Sequence, residues 1–460
     1  MRIGFISLGC PKNLVDSEVM MGLLEARGHQ LTQEPDEAEA LVVNTCSFIE
    51  PAQQESVDTI LEMARYKTEG RARRLVVTGC LVERYRTELR DQIPEIDAVL
   101  GTNEIESIVS HCEGDAETQA SAPPGGYLYH DLTPRRLATP RHFAYLKINE
   151  GCDHPCTFCI IPQLRGSFRS RRFESVVNEA ANLFGQGARE LTLIGQDTTA
   201  FGEDLGLRNG LPLLLDRLAR LENAGWIRVL YAYPNRVSKR LLETIAGHSN
   251  LCPYLDIPLQ HASASVLRRM KRGASGEIFL RMVERIRRII PGVAIRTSFI
   301  VGFPGETEGD FRTLCDFVKA AEFDHVGCFR YSDDENGASF ALDGKVDRST
   351  VRDRQRRLMA IQRRISRRRT RELVGQRLPV LVGGPSSETG LLWEGRLQTQ
   401  AEEIDGKTYI TRFPDGSTPR PGDVGTVRIT RSSDYDLYGE IERITRPAAL
   451  PAAELLPVLQ

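Results

Sequence analysis

Apolar runs at Ile3–Leu8, Ala40–Thr45 and Leu75–Thr78 are each followed by a segment with helical spacing: Glu18–Ala26, Gln53–Ala64 and Val82–Gln92. Three strand-helix units in a row predict a small parallel α/β sheet, since parallel strands need a crossover and a helix both crosses and covers the sheet. The alternation breaks over Glu113–Gly126, an acidic stretch rich in Ala, Gly and Pro, which reads as a surface linker within 111–140. It resumes at a longer period. Strands are predicted at Ala144–Ile148, Glu190–Ile194, Ile227–Tyr233, Tyr254–Pro258, Val293–Val301 and His325–Tyr331, with helices such as Glu174–Phe184, Leu213–Leu221 and Glu277–Ile290 between them. Short strands joined by helices make a doubly wound sheet or a barrel, and six units make only a partial (β/α)6 barrel.

Beyond this the pattern changes twice. Arg352–Arg371 holds ten arginines with apolar residues at Leu358, Ile361 and Ile365, which predicts a basic amphipathic helix over 351–372, or simply a solvated connector. After Glu372 come short strands broken by Gly and Pro, Leu378–Val382, Thr408–Arg412, Val424–Ile429 and Leu437–Arg443, the pattern of a small β-barrel over 373–446. The Pro/Ala/Leu tail, 447–460, reads as loose. The expected division is therefore an α/β domain at 1–110, a barrel at 141–350 and a β domain at 373–446.

Composition narrows the function. The chain has 460 residues, 41% hydrophobic and 27% charged, enough for ordinary cores and about three domains. No stretch approaches the ~18 uninterrupted apolar residues of a membrane span, and the apolar start lacks a small-residue cleavage site, so a cytoplasmic protein without membrane contact is expected. Sixty Lys and Arg against 62 Asp and Glu leave a net charge of -2, which removes any bulk-charge argument for nucleic-acid binding. Ten cysteines are too few for a disulfide scaffold, and their clustering points to metal or redox work.

The strongest chemical signal is Cys152-Asp153-His154-Pro155-Cys156-Thr157-Phe158-Cys159, just past the first barrel strand. Three thiolates on a cuboidal iron–sulfur cluster leave one iron open for substrate, whereas structural zinc takes four closed ligands. A zinc site with His154 as fourth ligand would crowd that residue between two others. A second set is dispersed: Cys10, Cys46 and Cys80 each follow a predicted strand, and parallel strands bring their carboxyl ends to one edge. Any one of them alone reads as core; three at one structural position suggest a metal centre. Cys112, Cys252, Cys315 and Cys328 match no ligand spacing. His261 follows the fourth barrel strand, where barrel sites gather, or is an oriented structural histidine. Lys12 and Asn13 read as a capped turn.

The C-x₃-C-x₂-C run resembles the radical S-adenosylmethionine superfamily, down to the aromatic Phe158 before its last cysteine. The resemblance implies that an open iron binds S-adenosylmethionine and that one electron cleaves it to a 5′-deoxyadenosyl radical. It places Gly195-Gln196 where the family has Gly-Glu beside the cofactor, so a carboxylate is missing. It also makes Ser298–Thr307, with Gly302 and Glu306, the cofactor strand, against the plain reading of Glu306 in a helix-starting turn. Residues from Met1 to about Arg443 further resemble the methylthiotransferases, which join a three-cysteine domain, a radical core and a C-terminal TRAM β domain. Ser7–Glu18, Gly195–Thr199 and Asp256–Ala262 resemble the branch acting on an aspartate of ribosomal protein S-twelve. The tRNA branch typically has Gln-Met at Pro11-Lys12, Asn-Val-Asn at Asp197–Thr199, and Ser-Thr-Asp at Arg296–Ser298.

The resemblance implies two 4Fe-4S clusters, on Cys10/Cys46/Cys80 and Cys152/Cys156/Cys159, and a methylthio group placed on the aspartate β-carbon. Implied partners are S-twelve, free or in the small subunit, an unidentified electron donor and an unidentified sulfur source, with nucleic acid met only on the ribosome; a monomer is expected. The alternatives are a tRNA adenosine methylthiotransferase and a non-catalytic sulfur carrier. Between Leu373 and Arg446 nine Lys and Arg face eleven Asp and Glu, which suits a basic protein partner better than RNA.

Overall fold

The computed structural model describes residues 1–114, 126–386 and 388–445. Both the core of the expected linker and the expected loose tail lie outside the described residues. The first unit runs β1 (Arg2–Ser7), α1 (Pro11–Ala26), β2 (Gln30–Thr32), β3 (Ala40–Thr45), α2 (Glu50–Glu69), β4 (Arg74–Gly79), α3 (Cys80–Gln92), β5 (Ala98–Leu100) and α4 (Ile108–Glu113). Its strands form one parallel sheet in the order β2-β1-β3-β4-β5. Alternate residues serve opposite faces: Ile6, Val43 and Val77 pack with α2 and α3, while Phe5, Val42 and Val76 pack with α1 and α4. The sequence pattern missed β2 and β5, which at three residues are too short to show a period.

The middle unit contains β6 (Phe143–Lys147), β7 (Asn149–Glu150), α5 (Ile161–Arg165), β8 (Arg169–Ser170), α6 (Phe173–Gln186), β9 (Glu190–Ile194), α7 (Gly210–Ala219) and β10 (Trp226–Val229). It continues through α8 (Lys239–Ala246), β11 (Tyr254–Asp256), α9 (Ala264–Arg269), α10 (Gly276–Ile289), β12 (Ala294–Val301), α11 (Glu308–Ala321) and β13 (His325–Arg330). Parallel sheets β6-β9-β10 and β11-β12-β13 are joined by an Ile227–Leu251 bridge, giving six barrel strands and not a doubly wound sheet. The outward residues and the surrounding helices form the largest apolar core. The predicted strand Ile227–Tyr233 stops early, because Tyr231 takes a left-handed backbone (φ 62°) and turns the chain. Its apolar run continues as buried loop, which a strand pattern does not distinguish.

Helix α12 (Arg348–Glu372) is more than a solvated connector. Val351, Leu358 and Ile365 enter the barrel core, and Gln362 donates to the Phe323 carbonyl. Strands β14 (Arg377–Pro385), β15 (Trp393–Leu397), β16 (Thr408–Arg412), β17 (Val424–Ser432) and β18 (Leu437–Thr445) close a small barrel in the order β14-β15-β16-β18-β17. Of these, β15 was not predicted. This barrel is anchored by buried polar contacts: Arg396 pairs with Glu190, which also pairs with Arg228, and Tyr254 donates to Asp405 at 2.6 Å. Residues 126–142 are likewise anchored. Arg135 reaches Glu18 on α1 and Glu179 on α6, so this segment bolts the first unit to the second.

Candidate active site

Cys10 is the residue before α1, Cys46 follows β3 directly, and Cys80 opens α3, so the three sit at the carboxyl ends of three adjacent strands. Close approach is visible at Gly9, where an added Cβ would lie 2.8 Å from Cys46 Sγ. Asn13 fixes the arrangement by donating to the carbonyls of Leu8 at 2.7 Å and Thr45 at 3.2 Å, pinning the ends of β1 and β3 together. Burial raises the Cys80 thiol to about 12, and Cys10 and Cys46 add to the rise against the pull of Arg165. Cys46 is raised by burial and by Cys10.

Cys152, Cys156 and Cys159 lie on one loop between β7 and α5. The backbone N–H of Cys152 donates to Gly166 O at 3.2 Å and that of Cys159 to Cys156 O at 3.2 Å, while the Thr157 hydroxyl donates to Arg269 O at 2.9 Å. Burial lifts Cys159 to about 12, with contributions from Cys156 and Cys152. In both sets the donors are thiols without a fourth protein ligand, which fits a cluster with one open iron. Among the described residues no three His, Cys, Asp or Glu side chains converge on a single ion, and a cuboidal cluster distributes its thiolates over separate irons. His154 is engaged elsewhere: it stacks on Tyr233 at 3.7 Å and its Nε2 meets Asp197 Oδ2 at 2.7 Å.

The two triads are neighbours. Cys80 packs against Ile160, the residue after Cys159, and against Leu164. Arg165, at the end of α5, lies 3.5 Å from Cys80 Sγ, donates to Asn13 Oδ1 at 3.1 Å and pairs with Asp16 and Glu150. Lys147 pairs with the same two acids. Burial would raise the Glu150 carboxyl, but Lys147 and Arg165 hold it well below its ordinary value. Gln196 donates to Glu150 at 2.6 Å, so the carboxylate missing from Gly195-Gln196 is present nearby, supplied by β7. Asp16, Lys147, Glu150 and Arg165 carry no signal of this in the sequence; charged residues in a strand or helix look solvated until the fold buries them.

The remaining expected residues take distinct places. Gly195 lies against the Asn149 amide, and Asn149 Oδ1 and Gln196 Oε1 are buried without a protein partner. Phe158 packs beside Val266, Met270 and Phe303 under Arg272. Gly302 has φ 79°, and a side chain there would strike Val351 of α12. Glu306, expected beside the cofactor, is enclosed: its carboxylate accepts from Gly302 N, pairs with Arg354 at 3.4 Å and faces His261 at 3.5 Å. It braces the glycine turn. His261 is fully buried and accepts from Ser263 N at 3.0 Å, the structural alternative. Cys112, Cys252 and Cys315 lie in apolar cores, and Cys328 packs against one.

Three family models match the chain: an uncharacterised protein family, UPF0004, over residues 2–101, the radical SAM superfamily over 146–318, and the TRAM domain over 374–441. A ribosomal protein uS12 methylthiotransferase of Solibacter usitatus is 66% identical over 98% of this chain and 97% of its own. The chain belongs to this methylthiotransferase family. The Koribacter versatilis relative of the same name is 52% identical over 96% of each chain. Among solved structures, the radical S-adenosylmethionine methyltransferase TsrM of Kitasatospora setae matches with a TM-score of 0.54 at 17% identity, covering 72% of this chain and 74% of that one, a likeness of fold.

Proposed function

We infer that the protein is an enzyme that places a methylthio group on the β-carbon of an aspartate in ribosomal protein S-twelve. The observation that carries this reading is the adjacency of two three-thiol sites across the Ile160–Arg165 wall, at the carboxyl ends of the sheet and barrel strands. Cys10, Cys46 and Cys80 would hold one 4Fe-4S cluster and Cys152, Cys156 and Cys159 the other, and Phe158, Gly195, Gln196 and Gly302 would line the S-adenosylmethionine site. When bound, these groups would supply one-electron cleavage of S-adenosylmethionine and hold the sulfur to be transferred. The protein's own share is placement and exclusion of water. The unpartnered amide oxygens of Asn149 and Gln196 present acceptors to a ligand's amino group. The paired charges of Asp16, Lys147, Glu150 and Arg165 fix the distance between the two sites.

A side-chain base would not suffice here, because none removes an unactivated carbon-bound hydrogen at neutral pH. The acidic surplus of the C-terminal β domain suits docking of a basic ribosomal protein. The deciding measurement is mass spectrometry of S-twelve and of tRNA from cells with and without this chain. Loss of 46 mass units (about the mass of one methylthio group replacing hydrogen) from S-twelve alone supports the reading; loss confined to tRNA refutes it.

A further inference from the structure

Lys12 stands apart from the other cations at the junction of the two triads. Lys147 and Arg165 each pair with Asp16 and Glu150. The Lys12 ammonium instead rests 3.3 Å above the centre of the Tyr231 ring, and among the described residues no carboxylate lies at ion-pair distance from it. Burial works against the charge, but Tyr231, Cys10 and Glu150 favour it, so Lys12 stays an ammonium; with no carboxylate in contact it can still take an anion.

Tyr231 is placed to hold it there. Its left-handed backbone (φ 62°) is unusual for an aromatic residue, and it persists because neighbouring elements fix both sides of the residue. Its N–H donates to Asp256 Oδ2 at 3.1 Å, and its carbonyl accepts from Thr198 N at 3.1 Å and Thr198 Oγ1 at 3.2 Å. Asp256 is held in turn by Arg296 at 3.0 Å. Tyr231 follows β10, at the same carboxyl end of the barrel as Gln196 and Gly302, and Lys12 is two residues beyond Cys10. The Lys12 ammonium, held by Tyr231 and without an ion pair among the described residues, thus sits between Cys10 and the barrel mouth.

We propose that Lys12 binds the side-chain carboxylate of the substrate aspartate and thereby fixes its β-carbon between the two triads. The carboxylate is bonded directly to the carbon that reacts, so capturing its oxygens sets that carbon's position more tightly than any contact to the peptide backbone. This rests on the reading of an aspartate in S-twelve as substrate, and it makes Lys12 a specificity residue for that reading.

The test measures binding to the reconstituted holoprotein. Two labelled peptides are used, the S-twelve target loop with its aspartate and the same loop with asparagine, and fluorescence anisotropy reports their affinities. The wild type is expected to prefer the aspartate peptide about tenfold or more, as for a hydrogen bond to a charged group. Lys12→Met is expected to bind both alike, and Lys12→Arg to keep part of the preference. Equal binding by the wild type, or an undiminished preference in Lys12→Met, overturns the proposal. If Lys12→Met fails to retain iron, Lys12→Arg decides: a retained preference supports the proposal, and its loss with iron intact overturns it. Methylthiolation of the peptide with equal binding of both peptides strikes this proposal alone, whereas no methylthiolation of S-twelve at all strikes the reading beneath it.

Discussion

The two cysteine triads are assembled by opposite routes. Cys152, Cys156 and Cys159 share one loop, tethered by Thr157 to the end of α9 and by Ser339 N to Thr157 O, so local chain geometry suffices to assemble them. Cys10, Cys46 and Cys80 are up to 70 residues apart and meet only because β1, β3 and β4 are neighbours in a parallel sheet. A contiguous site depends on its own loop and a few such tethers, while a dispersed one inherits every weakness of the sheet and helices that align it. The charged wall between them, Asp16, Lys147, Glu150 and Arg165, belongs to both.

Substitutions separate the two sites, beginning with the most severe. Cys156→Ala is expected to reduce 5′-deoxyadenosine to background and with it all methylthiolated product, read by chromatography of the reaction. Cys46→Ala should also stop product formation, yet leave 5′-deoxyadenosine formation measurable and halve the iron content, since remaining ligands hold a cluster poorly. Full product from that variant would remove the dispersed triad from the reaction. Arg165→Met leaves buried Asp16 and Glu150 short of a counter-charge, at a cost of about 3–5 kcal/mol in thermal or denaturant unfolding, with Arg165→Lys in between. An unchanged melting curve would show that the wall is not shared structure.

Two milder changes sharpen the contrast. Arg84 on α3 pairs with Asp334, and its guanidinium also reaches Ser47 O at 3.3 Å, so it ties the dispersed triad's edge to the segment that holds Thr157. Arg84→Ala should lower the ratio of methylthiolated product to 5′-deoxyadenosine several-fold while both clusters remain, as spectroscopic iron counting would verify. Arg367→Ala removes an exposed pair with Asp434 and should shift stability by less than about 1 kcal/mol, with the product ratio unchanged. A larger effect there would mean that α12 serves the site and not only the barrel wall. The buried Arg228–Glu190–Arg396 set also means that removing residues 373–460 would strip counter-charges from the barrel itself, so docking by the β domain is better tested with surface substitutions.

Much of this was legible beforehand because it depends on local patterns. The C-x₃-C-x₂-C spacing identifies a three-thiol loop whatever surrounds it, and strand-helix alternation with a period set by element length gives six barrel strands and a parallel sheet. Cys10, Cys46 and Cys80 were readable one step further on, through their common place after strands, because parallel topology converts equal positions in sequence into nearness in space. Short elements such as β2, β5 and β15 were not, since three to five residues are too few to show a period.

What the sequence determined by itself is thus the order of the elements, the two sets of thiols and the resemblance that names their chemistry. Tertiary structure alone decided that Glu150 lies beside Gln196, that Glu306 braces a turn, that His154 turns to Asp197, and that Lys12 faces Tyr231 with no carboxylate at ion-pair distance among the described residues. The physical reason is that a charge's role is fixed by what surrounds it. Spacing reports which side chains share a loop or a face, but pairing energies depend on burial and on neighbours brought from other elements, and those are properties of the packed chain.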